Sequence, residues 1–225
     1  MFKFNDFSAV IFDMDGLVLD TEVTYFAAWQ QAAKKMGYEF SDVFCQSFSG
    51  LHYMDIEQKL ITVCGADFNL RVFNRLSGLF WREHVYDHGI NIKQGFKQLL
   101  EFIVQQQIPY CLATNSLATN AYECLELAGI REAFSIIITR DDVEHGKPSP
   151  DIFLKAAELL NVRTIKCLVL EDSYSGIEAA SRAGAFSIYV PSTEPVDHLA
   201  LELCDVTMPD LVQTLLMFKG QLVND

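Results

Sequence analysis

The pattern of apolar and polar segments along the chain predicts a parallel α/β sheet. Five short apolar runs have the length and composition of buried strands, namely residues 9–12, 110–113, 136–139, 167–170 and 186–190. The last four runs are separated by segments with apolar residues at helical spacing. Because strands that alternate with helices form parallel sheets with crossover helices, we expect a doubly wound α/β domain.

The segment between the first two predicted strands breaks this rhythm. Residues 21 to 91 show helical periodicity and no convincing strand, and the segment is too long for one crossover. We therefore predict two domains: an α/β core formed by residues 1–19 and 92–225, and an inserted α-helical cap formed by residues 20–91. An insertion at this point would lie above the carboxyl end of the first strand, where a lid belongs.

Composition and charge narrow the possible partners. The chain has 225 residues and a formal net charge of −13 without basic clusters, which argues against nucleic-acid binding. No apolar stretch approaches membrane-spanning length, and Asn5 and Asp6 interrupt the apolar residues that a signal peptide would need. The six cysteines form no C-x-x-C pair and suit a reducing compartment. We expect a cytoplasmic protein, monomeric or weakly homodimeric, with a small-molecule partner.

Polar residues cluster where the predicted strands end. Ligands of parallel α/β sheets bind at the carboxyl ends of the strands, so these segments are candidates for chemistry. In chain order they are Asp13-Met14-Asp15-Gly16, Thr114-Asn115-Ser116, Gly146-Lys147-Pro148-Ser149-Pro150-Asp151 and Glu171-Asp172-Ser173. Together they place carboxylates, a hydroxyl, backbone amides and one ammonium group at one edge of one sheet.

This set of groups suits phosphoryl transfer. Carboxylates collected in one place repel each other and need a hard cation, and Mg²⁺ prefers carboxylate, water and phosphate oxygens. A hydroxyl, backbone amides and a lysine suit a phosphoryl group. Asp13 can act as a nucleophile that forms an aspartyl-phosphate, and Asp15 can act as an acid and then as a base. The residues therefore indicate transfer from a phosphate ester to Asp13, and then to water or to a second hydroxyl.

These motifs also carry a resemblance that covers nearly the whole chain. The series Asp13-x-Asp15-Gly16, Thr114-Asn115, Gly146-Lys147-Pro148-x-Pro150-Asp151 and Glu171-Asp172-Ser173-x-x-Gly176 resembles the haloacid dehalogenase (HAD) superfamily. The resemblance is to its phosphatase and β-phosphoglucomutase-like branch, which carries a helical cap after the first motif. It implies a Rossmann-like core.

The resemblance implies a role for each residue that contacts the phosphoryl group. It makes Asp13 the nucleophile and the side chain of Asp15 the general acid and base. Thr114 and the backbone amide of Asn115 would hold the transferring group. Lys147 would neutralise the charge of that group and of Asp13. Because dehalogenases of this fold lack an aspartate at the position of Asp15, the resemblance favours a phosphoesterase or a phosphomutase.

The resemblance also implies a magnesium site. Asp13 and Asp172 would be side-chain ligands of Mg²⁺, and Asp15 would provide its backbone carbonyl. Glu171 would bind the metal directly or support a residue that does. Asp13, Asp15, Glu171 and Asp172 are thus the predicted metal residues.

Two departures from the mutase pattern favour a phosphatase. β-Phosphoglucomutases carry a histidine in the segment that matches Tyr25 and an arginine near the position of Tyr53. That arginine grips the second phosphate of a bisphosphate, and this chain lacks it. The leading hypothesis is a Mg²⁺-dependent phosphatase of a small phosphorylated metabolite, most plausibly a sugar phosphate. The alternative is a phosphohexomutase whose cap uses Arg71, Arg75 or Arg82.

A signalling module is a third hypothesis. Response-regulator receivers use a similar set of acids, threonine and lysine with Mg²⁺ on a doubly wound sheet. They are much shorter, and their phosphoacceptor follows their acidic pair. The insertion of about seventy residues and the Gly146-Lys147-Pro148 loop argue against this hypothesis.

His52, in the predicted cap, is equally compatible with substrate contact and with an ordinary surface position.

Overall fold

The chain forms two compact units in a computed structural model that describes residues 3–48, 53–192 and 195–223. The core unit consists of Met1–Leu19 and Asn91–Asp225, and the helical unit consists of Asp20–Ile90. The segment predicted as a cap, residues 20–91, is thus helical throughout its described elements. Its function as a lid stays a prediction.

The core unit contains a six-stranded parallel sheet in the order β3-β2-β1-β4-β5-β6. The strands are β1 (Ala9–Phe12), β2 (Tyr110–Ala113), β3 (Ile137–Ile138), β4 (Cys167–Glu171), β5 (Phe186–Tyr189) and β6 (Val206–Thr207). The predicted doubly wound α/β class is confirmed. Sequence analysis predicted a longer β3 and missed β6, which has only two residues.

The sheet has its switch point at β1. The chain passes from β1 through β2 to β3 on one side and from β4 through β5 to β6 on the other, so the order reverses between β1 and β4. Phe12 pairs with Leu112 of β2 and with Leu170 of β4, which aligns the carboxyl ends of the three strands. Because ligands bind at such switch points, the fold directs attention to the residues that follow these strands.

Ten α-helices surround the sheet or form the helical unit, as far as the chain is described. The core helices are α5 (Phe96–Gln105), α6 (Ala118–Leu127), α7 (Asp151–Leu159), α8 (Tyr174–Ala183), α9 (His198–Leu203) and α10 (Leu211–Val223). The helical unit contains α1 (Glu22–Lys35), α2 (Asp42–Gln46), α3 (Tyr53–Cys64) and α4 (Leu70–His88). Within the described ranges, no helix combines the length and the apolar character that crossing a bilayer requires.

The helical unit has an aromatic core of its own. Its buried residues include Phe48, Phe68 and Phe73. The Trp81 indole N–H donates to the buried Thr24 hydroxyl at 2.9 Å, which ties α4 to α1. The ring of Tyr25 stacks on Trp81 with centroids 5.7 Å apart and an angle of 13° between the planes. Tyr25 therefore packs against aromatic side chains of its own unit.

The structure describes only some of the other cap residues that the functional hypotheses name. Arg71, Arg75 and Arg82, the candidate cap residues of the mutase alternative, are exposed on α4. His52 lies outside the described residues, as does the side chain of Tyr53.

Candidate active site

The core unit brings all seven predicted site residues to the carboxyl edge of its sheet. Asp13 and Asp15 follow β1, Thr114 and Asn115 follow β2, Lys147 lies between β3 and α7, and Glu171 and Asp172 stand at the end of β4. The hydrogen bonds among these residues join the strand ends into one network.

Lys147 is the centre of this network. Its buried ammonium group donates to Asp13 Oδ1, to the Ala113 carbonyl at 2.9 Å and to Glu171 Oε1 at 2.7 Å. These three acceptors use all three protons of the ammonium group. Lys147 therefore links the carboxyl ends of β1, β2 and β4.

Burial and charge perturb both partners of this ion pair. Burial raises the pKa of Asp13, the charges of Glu171 and Asp15 raise it further, and the Lys147 charge opposes this rise. Burial alone would lower the pKa of Lys147, but the charges of Asp13 and Glu171 outweigh it and raise that pKa. The two neighbouring acidic groups therefore favour the protonated form of Lys147.

Glu171 is held from both sides. Its Oε2 atom accepts from the Asp172 N–H at 2.8 Å, the Ser173 N–H at 2.9 Å and the Ser173 hydroxyl at 3.0 Å, while Oε1 accepts from Lys147. The first two donors lie just before α8, where free backbone N–H groups and the helix dipole favour negative charge. Glu171 is thus a fixed, fully buried anion that orients Lys147.

Asn115 holds the loop that carries Lys147. Its side-chain oxygen accepts from the Lys147 N–H at 2.8 Å, and its amide group donates to the Lys147 carbonyl at 3.1 Å. A Cβ at Gly146 would lie 2.6 Å from the Asn115 oxygen, so only glycine permits this close approach. The side chain of Asn115 therefore positions Lys147, a function that the sequence did not reveal.

The Asp15 carboxylate points to the loop after β2. Its Oδ2 atom accepts from the Ser116 hydroxyl at 2.8 Å and from the Thr114 hydroxyl at 3.2 Å. The network thus separates the two acids that follow β1, because Asp13 contacts Lys147 and Asp15 contacts two hydroxyl groups. This separation suits two different chemical tasks.

Three carboxylates form a group with the geometry of a cation site. Oxygen atoms of Asp13, Glu171 and Asp172 all lie within 4.8 Å of one another. Three acids against the single charge of Lys147 leave an excess of negative charge, and an oxygen-only donor set suits a hard divalent cation. The residues present therefore fit Mg²⁺.

Two neighbours fix Asp172 in this group. The Ser192 hydroxyl donates to Asp172 Oδ2 at 2.6 Å. Gly16 has a φ of +81°, and a Cβ there would lie 2.0 Å from the same oxygen, so the turn after Asp15 admits only glycine.

Sequence analysis assigned no role to Ser192 or Ser116. Ser192 lies 20 residues beyond Asp172, and no motif marks it, whereas Ser116 lies inside a motif that was recognised.

Comparison with known proteins identifies the family. Residues 10–190 match the family model of the haloacid dehalogenase-like hydrolases. A Thermotoga maritima protein named phosphorylated carbohydrates phosphatase is 33% identical over 186 residues, which cover 80% of this chain and 83% of that protein. The β-phosphoglucomutase of Bacillus subtilis is 28% identical over 209 residues, which cover 89% of this chain and 92% of the enzyme.

A solved structure agrees with this assignment. The crystal structure of a HAD hydrolase, family IA, variant 3, from Entamoeba histolytica superposes with a TM-score of 0.79 and 25% identity. The match covers 97% of this chain and 100% of that one. The resemblance found in the four sequence motifs is confirmed, and it extends over most of the chain. The chain therefore belongs to the haloacid dehalogenase-like hydrolase family, in its phosphatase and β-phosphoglucomutase-like branch.

Proposed function

We propose that this protein is a Mg²⁺-dependent phosphatase that hydrolyses a small phosphorylated sugar through an aspartyl-phosphate on Asp13. The observation that carries the proposal is the buried contact of Lys147 with both Asp13 and Glu171. This contact supports the proposal because it brings the Asp13 carboxyl group and the Lys147 ammonium group together at the switch point of the sheet, and phosphoryl transfer needs a nucleophile beside a cation.

In the first step, a carboxylate oxygen of Asp13 attacks phosphorus and the bond between phosphorus and the ester oxygen breaks. The leaving sugar oxygen takes a proton from the Asp15 carboxyl group. The Thr114 hydroxyl and the Asn115 backbone amide each donate a hydrogen bond to the phosphoryl group, and Lys147 offsets its negative charge.

In the second step, the Asp15 carboxylate takes a proton from water. The water oxygen attacks phosphorus, and the bond to Asp13 breaks to release inorganic phosphate. One carboxyl group thus serves as acid and then as base, which returns the enzyme to its starting state.

Asp13, Asp172 and the backbone carbonyl of Asp15 would hold the metal. Glu171 would bind the metal directly or orient Lys147 beside it, because it lies in the same group of acids and accepts a hydrogen bond from Lys147. When bound, Mg²⁺ offsets the charge of the phosphoryl oxygens and the acids, which lets an anion enter an acidic chain.

The sugar-phosphate assignment is supported by the Thermotoga maritima relative, whose name specifies phosphorylated carbohydrates. The B. subtilis relative keeps a phosphohexomutase as the second candidate. Hydrolysis is favoured because Tyr25 stands where mutases carry histidine and its ring packs on Trp81. The candidate arginines of the mutase alternative lie exposed on α4, as surface charges do.

The test follows β-glucose 1-phosphate by ³¹P NMR with Mg²⁺ and a trace of glucose 1,6-bisphosphate, and then a panel of sugar phosphates. The proposal predicts growth of inorganic phosphate for at least one sugar phosphate. It also predicts that Asp13→Asn abolishes turnover, whereas the exposed control Asp67→Asn leaves it unchanged. Growth of glucose 6-phosphate would establish a mutase, and phosphate release by Asp13→Asn at the wild-type rate would exclude the mechanism.

We also propose a cytoplasmic location and a monomeric or weakly dimeric state. All six cysteines are free, and Cys45, Cys111, Cys124 and Cys167 are buried. Free buried thiols are typical of proteins in reducing compartments. Light scattering at several protein concentrations tests the oligomeric state.

A further inference from the structure

Two hydroxyl groups contact the same oxygen of Asp15. Ser116 Oγ lies 2.8 Å from Asp15 Oδ2, and Thr114 Oγ1 lies 3.2 Å from it. Both hydroxyls come from the loop after β2, next to β1 in the sheet. The Asp15 carboxylate is thus oriented by a neighbouring strand end.

The two hydroxyls differ in what else they do. The Ser116 backbone N–H donates to Thr114 Oγ1 at 3.0 Å, so the Thr114 oxygen already accepts one bond while its proton is directed to Asp15. A hydroxyl carries a single proton. In the proposed reaction the Thr114 hydroxyl donates its one hydrogen bond to the phosphoryl group, and it can then no longer donate to Asp15.

We propose that Ser116 is the positioning residue for the general acid and base Asp15. Its hydroxyl keeps the Asp15 carboxylate in position when the Thr114 hydroxyl donates to a phosphoryl group instead. The inference rests on the proposed function, because it assigns a purpose to a contact of the same site. It separates the two hydroxyls into one that holds the phosphoryl group and one that orients the acid.

This division predicts a dependence on the leaving group. A sugar oxygen is a poor leaving group and needs the Asp15 proton, whereas p-nitrophenolate leaves without one. Loss of Ser116 should therefore slow the first step for a sugar phosphate and spare it for p-nitrophenyl phosphate. Loss of Thr114 should slow both substrates, because both carry the phosphoryl group.

The experiment compares Ser116→Ala with Thr114→Val, and uses Ser181→Ala, an exposed serine of α8, as the matched control. Ser116→Ala removes only the hydroxyl and keeps the backbone N–H that donates to Thr114. Single-turnover release of the sugar and of p-nitrophenolate is measured for each variant, together with steady-state kinetics with the sugar phosphate. Thermal unfolding verifies that each variant is folded.

We expect kcat of Ser116→Ala for the sugar phosphate to fall about tenfold or more, with KM within about twofold of wild type. The p-nitrophenolate release should fall less than about threefold, and Ser116→Thr, which keeps a hydroxyl, should recover most of the lost kcat. Thr114→Val should slow both substrates alike. Equal losses for the two substrates in Ser116→Ala, or no loss for the sugar phosphate, would overturn the assignment.

Failure of this inference is distinguishable from failure of the proposed function. If the wild-type protein hydrolyses a sugar phosphate and Asp15→Asn is impaired, but Ser116→Ala equals wild type, only the role of Ser116 is wrong. If Asp13→Asn and Asp15→Asn both turn over at the wild-type rate, the proposed function is wrong and the inference falls with it.

Discussion

The Glu171 carboxylate occupies the space that a side chain at Gly176 would need. A Cβ on Gly176 would lie 1.7 Å from Glu171 Oε1 and 2.4 Å from Oε2. The absence of a side chain at the third residue of α8 lets the carboxylate reach the N–H groups of Asp172 and Ser173. Because the same carboxylate orients Lys147, a glycine on α8 affects the geometry at Asp13.

We predict that Gly176→Ala destabilises the protein and impairs catalysis. The added methyl group displaces Glu171, and overpacking of this kind costs about 1–3 kcal/mol of unfolding free energy. Gly78→Ala is the matched control, because Gly78 also lies within a helix but has no atom within 4 Å of the point that a Cβ would occupy. Alanine should stabilise that helix by about 0.5–1 kcal/mol.

Thermal unfolding and steady-state kinetics measure both effects. The Tm of Gly176→Ala should fall and that of Gly78→Ala should rise, by about 2–4 °C for each kcal/mol in a chain of this size. A Gly176→Ala protein with wild-type Tm and activity would contradict the role of Glu171 as a fixed anion.

A second prediction concerns the pairing of Asn115 with Lys147. Asn115→Ala removes an acceptor and a donor from the backbone of Lys147, and each unsatisfied partner costs about 1–3 kcal/mol where it is buried. We expect kcat/KM to fall on the order of tenfold or more because the ammonium group is no longer held against Asp13. Steady-state kinetics with a sugar phosphate measures this loss.

Two further variants make this test specific. Asn115→Asp keeps the oxygen that accepts from the Lys147 N–H but loses the donor to the Lys147 carbonyl, so its loss should be intermediate. Asn5→Ala removes an exposed asparagine of the core unit and should leave kcat/KM unchanged. Wild-type kcat/KM in Asn115→Ala would show that Lys147 keeps its position without this pairing.

A third prediction concerns the metal. Ser192→Ala removes the hydroxyl that donates to Asp172 Oδ2 and leaves the carboxylate less fixed. Groups that orient metal ligands typically contribute about tenfold or more to metal affinity. We expect calorimetry to show a Mg²⁺ Kd raised about tenfold in Ser192→Ala and unchanged in the exposed control Ser181→Ala.

Removal of the metal provides a second test of the magnesium site. EDTA should abolish phosphate release by the wild-type protein, and added Mg²⁺ should restore it. A Kd in Ser192→Ala within about twofold of wild type would exclude a function of Ser192 in metal binding. Undiminished phosphate release in EDTA would exclude the magnesium site itself.

The sequence predicted the site because its signals are local. Apolar runs define β1 and β2 at the bounds that the structure shows, and the polar residues that follow must meet at one edge of a parallel sheet. Asp13 and Thr114 could therefore be placed without coordinates. The segments of Lys147 and Glu171 were found by the same reasoning, and the family resemblance then suggested a role for each residue.

Contacts between distant segments could not be predicted in this way. Ser192 reaches Asp172 from a loop 20 residues away, and nothing in the neighbourhood of Ser192 marks it. The two-residue strand β6 is too short to carry a periodic pattern. The hydrogen bonds of the Asn115 side chain depend on the loop at Gly146, whose path the spacing of residues does not define.

The most direct test of the proposed mechanism traps the phosphoryl group on Asp13. The protein is mixed with a sugar phosphate and Mg²⁺, quenched in acid within milliseconds, and analysed by peptide mass spectrometry after borohydride reduction, which converts an aspartyl-phosphate to homoserine. We expect homoserine at Asp13 alone, more of it in Asp15→Asn with p-nitrophenyl phosphate, and none in Asp13→Asn. Phosphate release without any modification of Asp13, or a phosphoryl group on another residue, would show that the mechanism is wrong.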